Sequence, residues 1–414
     1  MRRVVITGLG PVTPIGIGRE PFWSACQAGR TGFRVCEHLV QAGCSVTIAA
    51  PVQGFSTDGF LEPKEARNVD PFCRFALVAA KLAVADAGLG PPSPQEAPRR
   101  GVIIGTGIGG LQEIEDGHAT LTERGPRRVS PHFIPKLMSN AATGQVAIHL
   151  GWQGPNFSTA SACASANHAM GMAFWILRMG LADVILTGGA EATITPLAIS
   201  GFANMKALST NPDPQQACRP FDKDRDGFVM GEGAGVLVFE EYERARARGA
   251  TIYAEVLGFG MTDDAYHITA PAQDGGGAVR AMRLAFQDAG REPRELSYVN
   301  AHGTSTPYND AMETKAIKAL VGEERARQIP VSSTKSQIGH LLGASGGAEL
   351  IATALAVRDD RLPPTMGYRT PDPACDLDYV SGASRAQRVD LALSNSLGFG
   401  GHNASILIGK VAGA

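Results

Sequence analysis

The sequence predicts an α/β protein. Short β-branched runs alternate with alanine-rich helical stretches along most of the chain, the pattern of buried strands separated by helices. Of its 414 residues 44% are hydrophobic and the formal net charge is -2, which excludes a disordered chain. Glycine contributes 50 residues and charged residues only 19%, against about 7% and about 25% in an average globular protein. That balance calls for many tight turns and a large surface hidden in a core or a subunit contact. The length allows two or three domains or one fused body.

The strands are expected at Arg3 to Thr7, Gly101 to Ile104, Val184 to Thr187, Gly235 to Glu240, Tyr253 to Gly258 and Ser405 to Gly409, where Val, Ile and Leu cluster. Helices are expected at Phe72 to Ala87, Ala164 to Met179, Gly277 to Ala289, Asp310 to Leu320 and Ala344 to Val357, most with Gly, Pro or Asp close to an end. Pro91 to Arg100 and Gly110 to Val129 read as the least regular segments. VILTGGAEATIT around residue 187 and ALSNSLGFGGHNASIL around residue 399 echo one another. Two related halves meeting near residue 250 would produce that echo, and so would chance similarity between glycine-rich turns.

Several classes of function are excluded. No apolar run reaches the 18 residues of a membrane span, and the short apolar start interrupted by Gly and Pro does not resemble a secretion signal. The seven cysteines are scattered without a C-x-x-C pair, so neither a disulfide framework nor a zinc site is expected and a reducing cytoplasm fits. Near-neutral charge provides no nucleic-acid footprint.

The chemistry concentrates in four places. In Gly154-Pro155-Asn156-Phe157-Ser158-Thr159-Ala160-Ser161-Ala162-Cys163, an extended run reaches a cysteine at the start of a helical pattern, where free N–H groups and the helix dipole stabilise a thiolate. A buried structural cysteine is the other reading. His302 lies in a polar loop, NAHGTSTP, after a strand-like stretch, and His340 closes SSTKSQIGH before the helix containing Glu349. Each imidazole alone could equally cap a helix, but a cysteine with two remote histidines is the pattern of an activated nucleophile. Glu349 on a small, apolar helix needs a partner if buried, and Lys335 is one candidate. Asn395-Ser396-Leu397-Gly398-Phe399-Gly400-Gly401 is a glycine turn whose backbone can approach a reacting centre. His168 lies five residues after Cys163, about 140° round a helix and off its face. His267 could line a pocket, and His38, His118, His132 and His149 read as surface or structural.

Cys163, HGTST at 302–306, KSxxGH at 335–340 and NSxGFGG at 395–401, together with RPFDKDRDGFVMGEGAG and GFGMTDDAYHITAP, resemble the signature set of the β-ketoacyl-acyl carrier protein synthases, closest to the synthase II type. The resemblance spans essentially the whole chain. It implies a thiolase-like fold of two similar halves in a five-layer αβαβα arrangement, residues 1–250 carrying the nucleophile and 251–414 the two histidines, paired as a homodimer. It implies ping-pong decarboxylative Claisen condensation without a cofactor, on substrates carried by the phosphopantetheine of an acyl carrier protein.

Carried over residue by residue, Cys163 takes the acyl group, and the N–H groups of Cys163 and Phe399 form the oxyanion hole. His302 and His340 bind the malonyl thioester oxygen, Lys335 organises the site and Glu349 is a structural acid. Asn300, Ala301, Glu349, Ser394 and Asn395 resemble a monovalent-cation site, with no catalytic metal. Thr304 and Thr306 contact the pantetheine arm, Phe399 gates the pocket, and Ile108 and Phe202, with Phe133 from the other subunit, line it. Ile at 108 leaves the pocket deep, favouring medium to long chains. Lys64, Arg67, Arg74, Arg127, Arg128 and Lys206 are the basic residues available to an acidic carrier. Leu397, His402 and Tyr308-Asn309 depart from the usual pattern and bear on chain-length preference. The same chemistry also serves polyketide and aryl-polyene pathways, and a non-catalytic dimer partner would lack the cysteine. A thiolase proper would carry a second cysteine near residue 400, where Gly and His stand.

Overall fold

The computed structural model describes residues 1–411. Ten strands form one continuous path, β1 (Val4–Thr13), β2 (Arg100–Gly105), β3 (Asn156–Phe157), β4 (Val184–Glu191), β5 (Gly233–Glu241), β6 (Ala254–Asp263), β7 (Tyr298–Asn300), β8 (Val331–Ser332), β9 (Leu391–Gly398) and β10 (His402–Gly409). The main helices are α1 (Pro71–Asp86), α2 (Leu111–Arg124), α3 (Ser165–Arg178), α4 (Gly276–Ala289), α5 (Pro307–Val321) and α6 (Ser345–Asp359). The order across the sheet is β8-β7-β9-β10-β6-β1-β5-β4-β2-β3. Read outward from the centre, β1-β5-β4-β2-β3 and β6-β10-β9-β7-β8 are the same arrangement. Directions match too: β2 runs parallel to β3 and β4, as β7 does to β8 and β9, and the other pairs within each half are antiparallel. The echo between residues 187 and 399 thus falls on equivalent strands, β4 and β9.

The halves join where Val4, Val5 and Ile6 pair with Val256, Glu255 and Ala254. The sheet folds around α3 and α6, which pack on each other and on strands of both halves, while α1 covers the outside of the first half and α4 that of the second. This gives five layers. From Ser345 to Val357 every residue of α6 is buried, as a helix enclosed on all sides must be. Its approach depends on glycine: a Cβ at Gly235 would lie 2.1 Å from the Ala348 nitrogen, and one at Gly347 2.2 Å from the Gly235 oxygen. Outside, α1 starts on Pro71 with Asp70 accepting the Phe72 N–H at 3.0 Å, an N-cap with proline at N1.

One expectation fails. Residues 111–124, within the segment read as irregular, form the regular helix α2. Leu111, Ile114 and Leu121 recur at helical spacing, an amphipathic pattern that the reading of this segment as irregular passed over, and α2 fully buries none of its residues in this chain. Ile114 is 38% exposed, Leu121 45%, Ile134 57% and Ile148 76%. Among the described residues no helix is long and apolar enough to cross a membrane.

Candidate active site

The site forms where the two central helices begin. After β3 the chain turns sharply: Ala162 adopts φ 49°, a left-handed conformation that costs a non-glycine residue about 1 kcal/mol or more. Ser165 fastens the turn, its Oγ accepting the Ser161 N–H at 2.9 Å and donating to the Ala162 carbonyl at 2.7 Å. Cys163 emerges two residues before α3, buried, and the backbone N–H groups of Phe399 and of Cys163 itself act to favour its thiolate. Gly398 permits this, since a Cβ there would lie 2.9 Å from the Ser161 oxygen. Burial pushes the thiol up to about 11, opposed by the Lys335 ammonium and the two N–H groups and reinforced by the Glu191 carboxylate. The helix N-terminus therefore does not make a resting thiolate, because desolvation outweighs it.

His340 stands before α6 as Cys163 stands before α3. Its backbone is held by residues 229–231, with its N–H on the Val229 carbonyl at 2.8 Å and its carbonyl accepting from Gly231 at 2.9 Å. Its Nδ1 accepts the Leu342 N–H at 3.1 Å. That bond leaves the ring proton on Nε2, which lies 3.1 Å from Sγ of Cys163. His302 follows β7, and its Nδ1 lies 3.2 Å from Nζ of Lys335; an ammonium only donates, so here too Nε2 carries the proton. Lys335 is paired with Glu349, both fully buried. Burial, and then Lys335, hold both imidazoles well below their usual range. They are neutral donors at physiological pH.

A cavity of about 700 Å³ opens above these groups, lined by Ile108, Phe202, Thr304, Thr306, Tyr308 and Phe399 among others. The hydroxyls of Thr304 and Thr306 are 2.8 Å apart. Leu397 lines it as well, but Phe133 and His267 do not. Phe133 instead lies on a short helix where its ring faces Gly117 of α2; His267 accepts N–H groups of Thr269 and Ala270. His402 projects away, 3.5 Å from Asp263, and His168 turns from Cys163 to Ser161 at 2.6 Å. Lys64, Arg67, Arg127, Arg128 and Lys206 are exposed and Arg74 half-buried.

Profiles described as "Beta-ketoacyl synthase, N-terminal domain" and "Beta-ketoacyl synthase, C-terminal domain" match residues 1–245 and 253–369. The chain belongs to the beta-ketoacyl synthase family. A 3-oxoacyl-[acyl-carrier-protein] synthase 2 of Synechocystis is 51% identical over 410 residues, covering 99% of this chain and 98% of that protein. A beta-ketoacyl synthase from Burkholderia phymatum is similar in structure, with TM-score 0.93, 36% identity and coverage of 99% and 100%. So is a chain of a type II polyketide synthase acyl-carrier protein in complex with its ketosynthase bound to the hexaketide, with TM-score 0.91, 34% identity and coverage of 99% of both chains.

This beta-ketoacyl synthase places one sulfur and two ring nitrogens within 4.8 Å of one another, a spacing a metal ion could bridge. Ligation through His340 Nε2 would move its proton to Nδ1, against the Leu342 N–H, so the ring is arranged to donate rather than to ligate. The residues of the monovalent-cation resemblance do hold free oxygens: Glu349 Oε2 and Ser394 Oγ are buried without a hydrogen-bond partner, the hard donors such a cation takes. Asn300 is instead engaged through Nδ2 with Thr334, Thr353 and the Glu349 carbonyl.

Three buried carboxylates were missed in the sequence. Glu313 accepts the N–H groups of His302 and Gly303, both at 2.9 Å, and Asp310 those of Thr304 and Ser305 at 3.0 and 3.1 Å. The three-residue spacing puts both acids on one face of α5, a signal available in NDAMET. Glu191, ending β4, holds two loops beside Cys163; an acid closing an apolar strand was its only trace.

Proposed function

We propose that this chain is a β-ketoacyl-acyl carrier protein synthase of fatty acid elongation, working by ping-pong decarboxylative Claisen condensation. Cys163 sulfur attacks the acyl thioester and the pantetheine thiol leaves with the cysteine proton. A malonyl thioester then enters, its bond to the carboxylate breaks, and CO₂ departs leaving the electron pair in an enolate. The enolate oxygen takes hydrogen bonds from Nε2–H of His302 and of His340. Its carbon attacks the acyl-cysteine carbonyl, whose oxyanion is held by the N–H groups of Cys163 and Phe399. Collapse releases the β-ketoacyl carrier and a thiolate that regains a proton from solvent. The observation that carries this reading is the pair of neutral imidazoles with fixed Nε2–H donors beside a buried sulfur, since such donors in a dry site stabilise developing charge.

Thr304 and Thr306 serve the pantetheine arm, Phe399 the gate, and Ile108 and Phe202 the acyl chain. A monovalent cation would take the two unpartnered buried oxygens, Glu349 Oε2 and Ser394 Oγ. The basic residues from Lys64 to Lys206 receive the acidic carrier, in a cytoplasmic setting. Residues 1–250 and 251–414 act as the nucleophile-bearing and histidine-bearing halves. The 51% identity to a synthase 2 favours elongation over a polyketide role, where the likeness is 34%. Homodimer formation is supported by the outer edge of β3, which pairs only with β2 among the described residues, and by exposed Ile114, Leu121, Ile134 and Ile148 on successive helices that pack outward from that edge, and it would bring in the other subunit's Phe133. Light scattering tests it: a dimer that Ile148→Glu drives toward monomer is expected, and a monomeric wild type would overturn it. Intact-protein mass spectrometry with acyl carriers of several lengths tests the reaction. An acyl adduct on Cys163, greatest for medium to long chains, is expected; an equal adduct in Cys163→Ala would remove the nucleophile assignment.

A further inference from the structure

Glu191 is fully buried, and four donors converge on its carboxylate. The Gly107 N–H at 2.6 Å and the Gly343 N–H at 2.9 Å reach Oε2; the Thr106 hydroxyl at 2.8 Å and the Ile108 N–H at 3.2 Å reach Oε1. The Gly109 N–H donates to Thr106 Oγ1 at 3.2 Å, which leaves that hydroxyl's own proton free to meet Glu191. Burial pushes the carboxyl up, opposed by these same four donors; three backbone N–H groups and one hydroxyl give the anion a full set of partners. One end of this brace is the loop carrying Ile108 into the acyl cavity. The other is the amide next to Leu342, whose N–H sets the His340 ring.

We propose that Glu191 is a positioning residue that ties the acyl-pocket loop at 106–108 to the His340 loop at 341–343, holding His340 as an Nε2–H donor while placing a negative charge near Cys163. The inference rests on the roles given above to Cys163 and His340. A Cβ at Gly107 would lie 2.9 Å from Glu191 Oε2 and 3.6 Å from the Ala162 carbonyl oxygen, so the carboxylate sits beside the turn that carries Cys163. Of the charged groups acting on the sulfur, Lys335 favours the thiolate and Glu191 opposes it, while the His302 and His340 ring nitrogens lie within 4.8 Å of the sulfur.

Loss of the brace and loss of the charge therefore act in opposite directions. In Glu191→Gln an NH₂ meets two of the four donors, and CO₂ release from malonyl carrier is expected to fall about tenfold or more. Alkylation of Cys163 by iodoacetamide at pH 7 to 8 is expected to rise about threefold or more, with its pH profile moved to lower pH, because the opposing charge is gone. Glu191→Asp keeps the charge on a shorter arm: CO₂ release falls and the alkylation profile stays. Unchanged CO₂ release in either variant overturns the proposal, as does slower alkylation alongside slower CO₂ release in Glu191→Gln, the outcome of general disruption. If Glu191→Gln does not fold, the Asp variant decides: wild-type CO₂ release there overturns the proposal. His340→Ala in the same assays keeps the two readings apart, since full CO₂ release in that variant removes the role of His340 whatever Glu191 does.

Discussion

The two halves share a strand order and a helix plan but use equivalent positions differently. Ahead of the first central helix stands a thiol; ahead of the second, an imidazole. After β2 the chain lines the cavity with Ile108, and after the equivalent β7 it presents His302. Surroundings differ as well. Every residue from Ile329 to Val357 is buried, and the edge strand β8 is covered by the returning chain, Val331 N–H meeting the Asp378 carbonyl at 2.7 Å. Its counterpart β3 pairs only with β2 among the described residues. The second half thus encloses its two histidines within one chain, while the first leaves a face open on the side of Cys163. Duplicating a scaffold yields two helix starts aimed at one point, and the loops decide what each delivers.

Replacing the donors of the second half has the largest expected effect. His302→Ala or His340→Ala should lower CO₂ release from malonyl carrier by about a hundredfold or more while acyl transfer to Cys163 falls much less. Equal loss in both half-reactions, measured by CO₂ release and by mass of the acyl-enzyme, would erase the division. Next, Lys335→Ala leaves Glu349 as an uncompensated buried charge and should cost about 3 to 5 kcal/mol in urea unfolding; a loss within about 1 kcal/mol would mean that the pair is not part of the sealed core. The halves should also differ in pH response. With its thiol at about 11, Cys163 alkylation should climb about tenfold per pH unit between pH 7 and 10. The imidazoles, already neutral because burial and Lys335 hold them well below their usual range, should leave decarboxylation by Cys163→Ala flat from pH 7 to 9. The smallest effect belongs to Leu397→Phe, which narrows the cavity wall and should shift chain-length preference only a few-fold, read as kcat/KM across an acyl series.

Much of this was legible in the sequence because it depends on local pattern. The strands around 101–104 and 184–187 and the helices around 72–87 and 164–179 were placed within a few residues of their observed ends. Burial cost called for a partner to Glu349 and offered Lys335 as one candidate; the fold makes that pair. What escaped depends on tertiary placement. Helix α2 carried its signal in apolar residues at helical spacing, and only Leu111 of them packs on a core cluster, the others lying on an exposed face. The thiolate expected at Cys163 followed from the helix terminus, and the desolvation that outweighs it exists only after folding. Glu191, Asp310 and Glu313 read as ordinary acids until backbone N–H groups more than 80 residues away, in the case of Glu191, close round them. The echo between residues 187 and 399 showed in the sequence as glycine-rich turns, but Gly188 and Gly189 lie inside β4; identical strand order assigns the echo to a duplicated plan.

The central claim is that the sulfur of one half and the imidazoles of the other perform separable steps. CO₂ release from malonyl carrier by Cys163→Ala measures that separation directly. Continued release with no acyl adduct on the protein is the predicted result; release that stops when the sulfur is removed would contradict it.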